Sequence, residues 1–351
     1  MRWLPMLLLA ACACLAAPLH AAEKDELPTG VELPVKVRVG LTVLNITEIK
    51  EVAGRARLYI EITQRWTDPR RRFDAAQAGA ARIDRVGGDA ERFVGSIWTP
   101  GLVVDNQISP PQARTIAVSA FADGGIVTVE RYEADFRIAM DMSAFPFDRQ
   151  DITLSFSLPR YARQEAILVS TETDRLFSRV ESRLSVIDWR PLALSFVYDE
   201  STGWNARSYS RLHATVAIER LSGRFILRLF IPICAVLAVS IFLLWMPGVH
   251  PKEKGSLVFS ALLALAAISF TFEASFPGSI SLNTPIAMII SLGYFYLIIV
   301  LLIDGVVAGP HDNRDSRFHP LAVEIRRHAR WVLPSIMAIV CAASVIRAMP
   351  A

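Results

Sequence analysis

Beyond Arg224 the sequence carries four apolar stretches, Phe225 to Met246, Ser256 to Phe272, Leu282 to Ile303 and Trp331 to Ile346. An α-helix rises 1.5 Å per residue, so about 20 apolar residues cross roughly 30 Å of hydrocarbon. The first and third stretches reach that length alone, and the second and fourth reach it with their flanks. Inside a bilayer every backbone polar group must be satisfied within the segment, which makes each stretch a helix. The expected spans are about 224–246, 253–273, 282–304 and 329–348. The segment from Asp304 to Arg330 carries Arg314, Arg317, Arg326, Arg327 and Arg330, the last at the start of helix four, whereas 274–281 has no Lys or Arg. The excess of positive charge puts that linker, 305–328, on the cytoplasmic side and both termini outside. It is too short for a further domain.

The rest of the chain reads differently. Only 15 of its 71 Asp, Glu, Lys and Arg residues lie beyond Arg224, so a water-soluble module precedes the membrane module. Residues 1–22 open with Arg2, continue with an apolar run and end in small residues, the pattern of a secretory signal peptide. Leu9-Ala10-Ala11-Cys12 also fits a lipoprotein box. Of the four cysteines, Cys12 and Cys14 fall in that leader and Cys234 and Cys341 in apolar runs, so the exported module, 31–222, has no disulfide. Its apolar residues recur with period two: Leu58, Ile60 and Ile62; Ile152, Leu154, Phe156 and Leu158; Leu212, Ala214, Val216 and Ile218. That is the period of half-buried strands. Ala122-Asp123-Gly124-Gly125 between two such runs signals a tight hairpin. About ten antiparallel strands fit, which predicts an all-β sandwich. Helix signals are weak here apart from a short turn near Pro34. A net charge of +3 and the lack of phosphate loops or metal-spaced His and Cys leave no expected catalytic residue, cofactor, metal or nucleic-acid partner. The sandwich reads as a binding module.

On the second apolar helix Ser256, Ser260, Leu263, Ala267 and Phe270 recur at steps of four and three along one face, with Glu253 one turn below and Glu273 at the far end. Two readings remain open. Small polar residues pack helices closely or bond them together; alternatively, the face lines a pore, where carboxylates beside water are tolerated.

Several landmarks then occur in a fixed order: Trp66-Thr67-Asp68, Trp98-Thr99-Pro100 with Asp105-Asn106, Asp141 with Phe145-Pro146-Phe147-Asp148-Arg149-Gln150, Arg220, and Phe230-Ile231-Pro232. With them the chain resembles the pentameric ligand-gated ion channels, the Cys-loop receptor superfamily, in its amine-gated bacterial form without the Cys-loop cysteines. The resemblance covers about Glu32 to Met349. Where animal receptors carry two cysteines around the Phe-Pro-Phe-Asp turn, this sequence has Ile138 and Ile152.

The resemblance implies a homopentamer around a central pore. It implies an agonist site between subunits, with Tyr161, Tyr198, Trp204 and Tyr209 from one subunit and Trp66 from its neighbour; Asp105 there either counters an amine or only solvates its loop. Trp98 is assigned to packing. Pore lining by Glu253, Ser256, Ser260, Leu263, Ala267 and Phe270 is implied, with Glu253 selecting cations and Leu263 as the apolar gate; a small rotation would present Lys252 or Lys254 instead. Coupling is expected at Glu51, Phe147, Asp148, Arg220 and Pro277. The expected function is a ligand-gated channel for monovalent cations, opened by a small agonist of the primary-amine type, in lipid of a bacterial inner membrane. The rivals are a proton-gated or anion-selective channel of the same architecture and a membrane-anchored ligand sensor without conductance.

Overall fold

The computed structural model describes residues 26–245, 251–275, 284–312 and 317–349. The signal segment 1–22 and Pro277 lie outside the described residues. Eleven strands build the exported module: β1 Val35–Lys50, β2 Arg55–Thr67, β3 Arg82–Val86, β4 Val103–Val104, β5 Gln112–Phe121, β6 Gly125–Arg137, β7 Arg149–Ser157, β8 Ala166–Val169, β9 Arg179–Val180, β10 Trp189–Thr202 and β11 Ser208–Arg220. They form two sheets, ordered β3-β5-β6-β2-β1-β8 with β9 added to β1, and β10-β11-β7-β4. Period-two alternation turns Leu58, Ile60 and Ile62 of β2 and Leu212, Ala214 and Val216 of β11 into one core between the sheets. Ile138 and Ile152, at the positions of the absent cysteines, are both buried in it.

The expected β5–β6 hairpin is present. Gly124 sits at φ +88°, a conformation open to Gly at no steric cost, and Asp123 Oδ1 accepts from the Gly125 amide at 2.9 Å. Two local expectations change. The chain at Pro34 makes no helical turn: the Leu33–Pro34 bond is cis and leads straight into β1. The module also contains the short helices α1 Ala75–Ala78, α2 Gly88–Ser96 and α3 Glu172–Phe177. Only Ala90 of α2 is buried. Asp89 and Glu91 stabilise its first turn through the helix dipole.

Among the described residues four helices are long and apolar enough to cross a membrane: α4 Gly223–Trp245, α5 Pro251–Ser275, α6 Pro285–Asp312 and α7 His319–Ala348. Within α4, Ile226–Phe230 is π-helical. Pro232 has no N–H to give the carbonyl one turn back, and the backbone relaxes there by widening. The stretch 305–328, expected as a linker, is largely helix, because α6 continues to Asp312 and α7 starts at His319 with Pro320 in its first turn. Arg326, Arg327 and Arg330 therefore ride on α7. Helix packing makes a second core, and Phe145 of the sandwich belongs to it rather than to the first.

Candidate functional site

At the base of the sandwich β11 ends on Arg220, whose guanidinium donates two parallel bonds to Asp148, 2.8 Å to Oδ1 and 3.2 Å to Oδ2. A third bond, 3.2 Å, reaches Glu51 Oε1 in the β1–β2 turn. The Arg220 and Asp148 side chains are each 1% exposed. A planar fork held on both carboxylate oxygens is the strongest form of such a pair. The guanidinium also lies over Trp189 at 4.1 Å, Phe145 at 4.8 Å and Phe225 at 5.4 Å. Gln150 Nε2 donates to Asp148 Oδ2 at 2.7 Å, which satisfies the carboxylate further. Phe145, ahead of the cis Pro146, packs 5.1 Å from Phe225 on α4 and 5.7 Å from Phe272 on α5, and Phe147 is 6.2 Å from Phe230. One turn thus touches the first helix and the second. Glu51, Asp148 and Arg220 are thus joined, with Phe145, Trp189 and Phe225 around the guanidinium, while Phe147 instead reaches Phe230 on α4.

The expected ligand residues do not all converge. Trp66 is only 4% exposed; it packs edge-on against Trp98 at 6.3 Å inside its own chain, so it is not placed to wall a neighbour's pocket. Trp98, fully buried, donates through Nε1 to Tyr161 Oη at 2.8 Å, and that bond ties Tyr161 to the core. Asp105 accepts from Ser157 Oγ at 2.5 Å and pairs with Arg211 Nε at 3.2 Å, so its charge is already countered. Arg211 and Asp105 help to line a cavity of about 230 Å³.

The β10–β11 hairpin separates its tyrosines. Tyr198 opposes Leu212 across the ladder, and Tyr209 opposes Ser201. Directly opposed residues share a face and neighbours alternate, so the two rings lie on opposite faces. Tyr198 Oη accepts from the Ser170 amide and donates to the Ser170 carbonyl, both at 2.9 Å, with Arg175 over its ring at 6.0 Å. On the other face Tyr209 lies beside Gly203, where a Cβ would strike its ring, and its Oη accepts from Asn205 at 2.8 Å. Trp204, at the tip, is 98% exposed. Asp199, opposite Arg211, shares the Tyr209 face. A hydrogen bond from the Glu200 amide, followed by one from His213, holds the Asp199 carboxyl below its ordinary range. Asp199 carried no motif in the sequence; only strand register brings it to this face.

On α5, Lys254, Val258, Ala261, Leu265 and Phe272 are buried against the other helices. Glu253, Ser256, Ser260, Leu263, Ala267 and Phe270 are all exposed on the side away from them, Leu263 at 66%. The Ser260 hydroxyl donates to the Ser256 carbonyl at 2.9 Å, which caps its polarity within the helix. Lys254 turns away from this face and meets Asp304 of α6 at 3.0 Å. The Lys252 side chain lies outside the described residues. Among the described residues no cluster of three or more His, Cys, Asp or Glu forms a metal site.

Residues 19–222 match the neurotransmitter-gated ion-channel ligand binding domain family. The chain is 22% identical over 313 residues to the neuronal acetylcholine receptor subunit alpha-4 of Rattus norvegicus, covering 86% of this chain and 47% of that one. It is 22% identical over 312 residues to the human subunit beta-3, covering 86% and 64%. The chain therefore spans about half to under two thirds of the length of these relatives. It belongs to the Cys-loop ligand-gated ion channel superfamily, a family of receptors rather than enzymes.

Proposed function

We propose that this chain is the subunit of a homopentameric, cation-selective channel in a bacterial inner membrane, opened by a small amine bound at the outer sandwich. The observation that carries the reading is α5, whose Glu253-Ser256-Ser260-Leu263 face is exposed while its opposite face is packed. A helix that only anchored a sensor would have no use for a carboxylate ending a serine stripe in lipid. Rotational copies of this face around an axis give a water-filled path with a negative inner mouth and an apolar ring at Leu263. Agonist binding shifts the population toward the open arrangement through the Arg220 joint.

Purified protein in liposomes under a NaCl gradient tests this directly. Reversal near the Na⁺ equilibrium potential is expected, and Glu253→Gln is expected to move it toward zero. Reversal at the Cl⁻ potential refutes cation selectivity. Current evoked by acid alone refutes the amine, and silence under every condition favours the anchored sensor.

For the agonist, support comes from the Tyr209 and Trp204 rings with the ionised Asp199 carboxylate on one hairpin. A desolvated ammonium on an aromatic face gains up to about 2 kcal/mol. Tyr209→Ala is therefore expected to raise the half-activating concentration of short primary amines by roughly 10- to 30-fold at normal surface expression. An unaltered dose response would count against this face.

A further inference from the structure

Glu253 and Lys254 are consecutive on α5, and consecutive helical residues differ by about 100° in direction. At a pore mouth that spacing is narrow: a modest turn of the helix exchanges a carboxylate for an ammonium. The structure shows what fixes the choice. Lys254 Nζ lies 3.0 Å from Asp304 Oδ1, with the two side chains 5% and 19% exposed. Asp304 is on the stretch of α6 that runs alongside the start of α5; a Cβ on Gly255 would lie 4.0 Å from Leu301, one turn before Asp304. An ammonium buried among helices needs a fixed counter-charge, and without one it moves to the nearest water. The nearest residue in sequence, Glu253, is exposed.

We propose that Asp304 is a selectivity-determining residue: its ion pair with Lys254 holds the lysine out of the lumen, so that Glu253 alone sets the charge of the inner mouth. This rests on the channel reading above. Asp304 is a positioning residue that never meets the permeant ion; it acts by withdrawing a positive charge that would otherwise cancel Glu253 in every subunit.

The test uses the full-length protein in liposomes, as wild type, Asp304→Asn, Lys254→Gln and the double variant. Asp304→Asn is expected to lower the Na⁺ over Cl⁻ permeability ratio by about tenfold, the scale of one added unit charge at short range. Lys254→Gln and the double variant are expected to keep the wild-type ratio, and the double variant also guards against a folding defect. A merely structural pair would lower the melting temperature of Asp304→Asn and leave the ratio unchanged, which overturns the proposal. Lys254 acetylation by a water-soluble ester, read by mass spectrometry against Lys252 in the same molecule, gives a readout independent of current. It is expected to rise several-fold in Asp304→Asn, and equal labelling in the two proteins refutes the restraint. A wild type that passes no cation current refutes the channel reading instead, and the labelling then still decides whether Asp304 restrains Lys254.

Discussion

Arg220→Gln is expected to give a protein that melts about 10 °C below wild type, or fails to assemble, and that shows no agonist-evoked current. Both members of the Arg220–Asp148 pair are almost completely buried, and Glu51 shares the same guanidinium. Removing the arginine leaves Asp148 as a buried charge with Gln150 as its remaining side-chain donor. Breaking a buried pair from one side costs about 3 to 5 kcal/mol. That is a large part of the roughly 5 to 15 kcal/mol that holds a domain together, and about 2 to 4 °C per kcal/mol is usual for a domain the size of the sandwich. The guanidinium also stacks on Trp189, Phe145 and Phe225, so its loss loosens the aromatic contact between sandwich and helices. Arg220→Lys keeps the charge and loses the fork, and an intermediate melting temperature is expected. Thermal unfolding of detergent-solubilised protein, with chromatography for assembly, reads both. Melting of Arg220→Gln within 2 °C of wild type, with normal gating, would sink the assignment.

Leu263→Ser is expected to leak in the absence of agonist and to shift activation to lower concentrations by more than tenfold. In the single chain Leu263 is exposed, between Ser260 and Ala267 on the same face. A closed ring of leucines excludes water because hydrating each costs up to about 2 kcal/mol. A hydroxyl at that level removes the penalty in every subunit, and tenfold in an equilibrium needs only about 1.4 kcal/mol. Macroscopic current before and after a saturating amine checks this. A silent baseline with an unchanged dose response would place the barrier elsewhere, with Phe270, beyond Ala267, the next bulky apolar residue on that face.

Much of the architecture is legible in the residues. Length and apolarity alone give four helices of spanning length, and period two gives strands at 58–62, 152–158 and 212–218. Trp66 was legible as well: Leu58, Ile60 and Ile62 face the core, and Trp66 continues their parity, a local signal that contradicts the wall role implied by resemblance. Tyr198 and Tyr209 were not legible in this way. Their faces depend on a pairing register, Tyr198 opposite Leu212, reached through an irregularity between Pro191 and Ala193. A shift of one residue would have exchanged the faces. Asp105 is similar, since its neutralising partner Arg211 lies on a strand far along the chain.

The sequence by itself determined the two modules, their order, the small and apolar stripe of α5 and the Phe-Pro-Phe-Asp turn, because run length and periodicity are local properties of the chain. Only the tertiary structure decided that Arg220 closes on Asp148 and Glu51, that Tyr209 faces with Asp199 while Tyr198 turns away, and that Lys254 is taken by Asp304. Each is a pairing between distant positions, and the free energy of burying a charge or a ring depends on which partner the fold brings within about 3 to 5 Å.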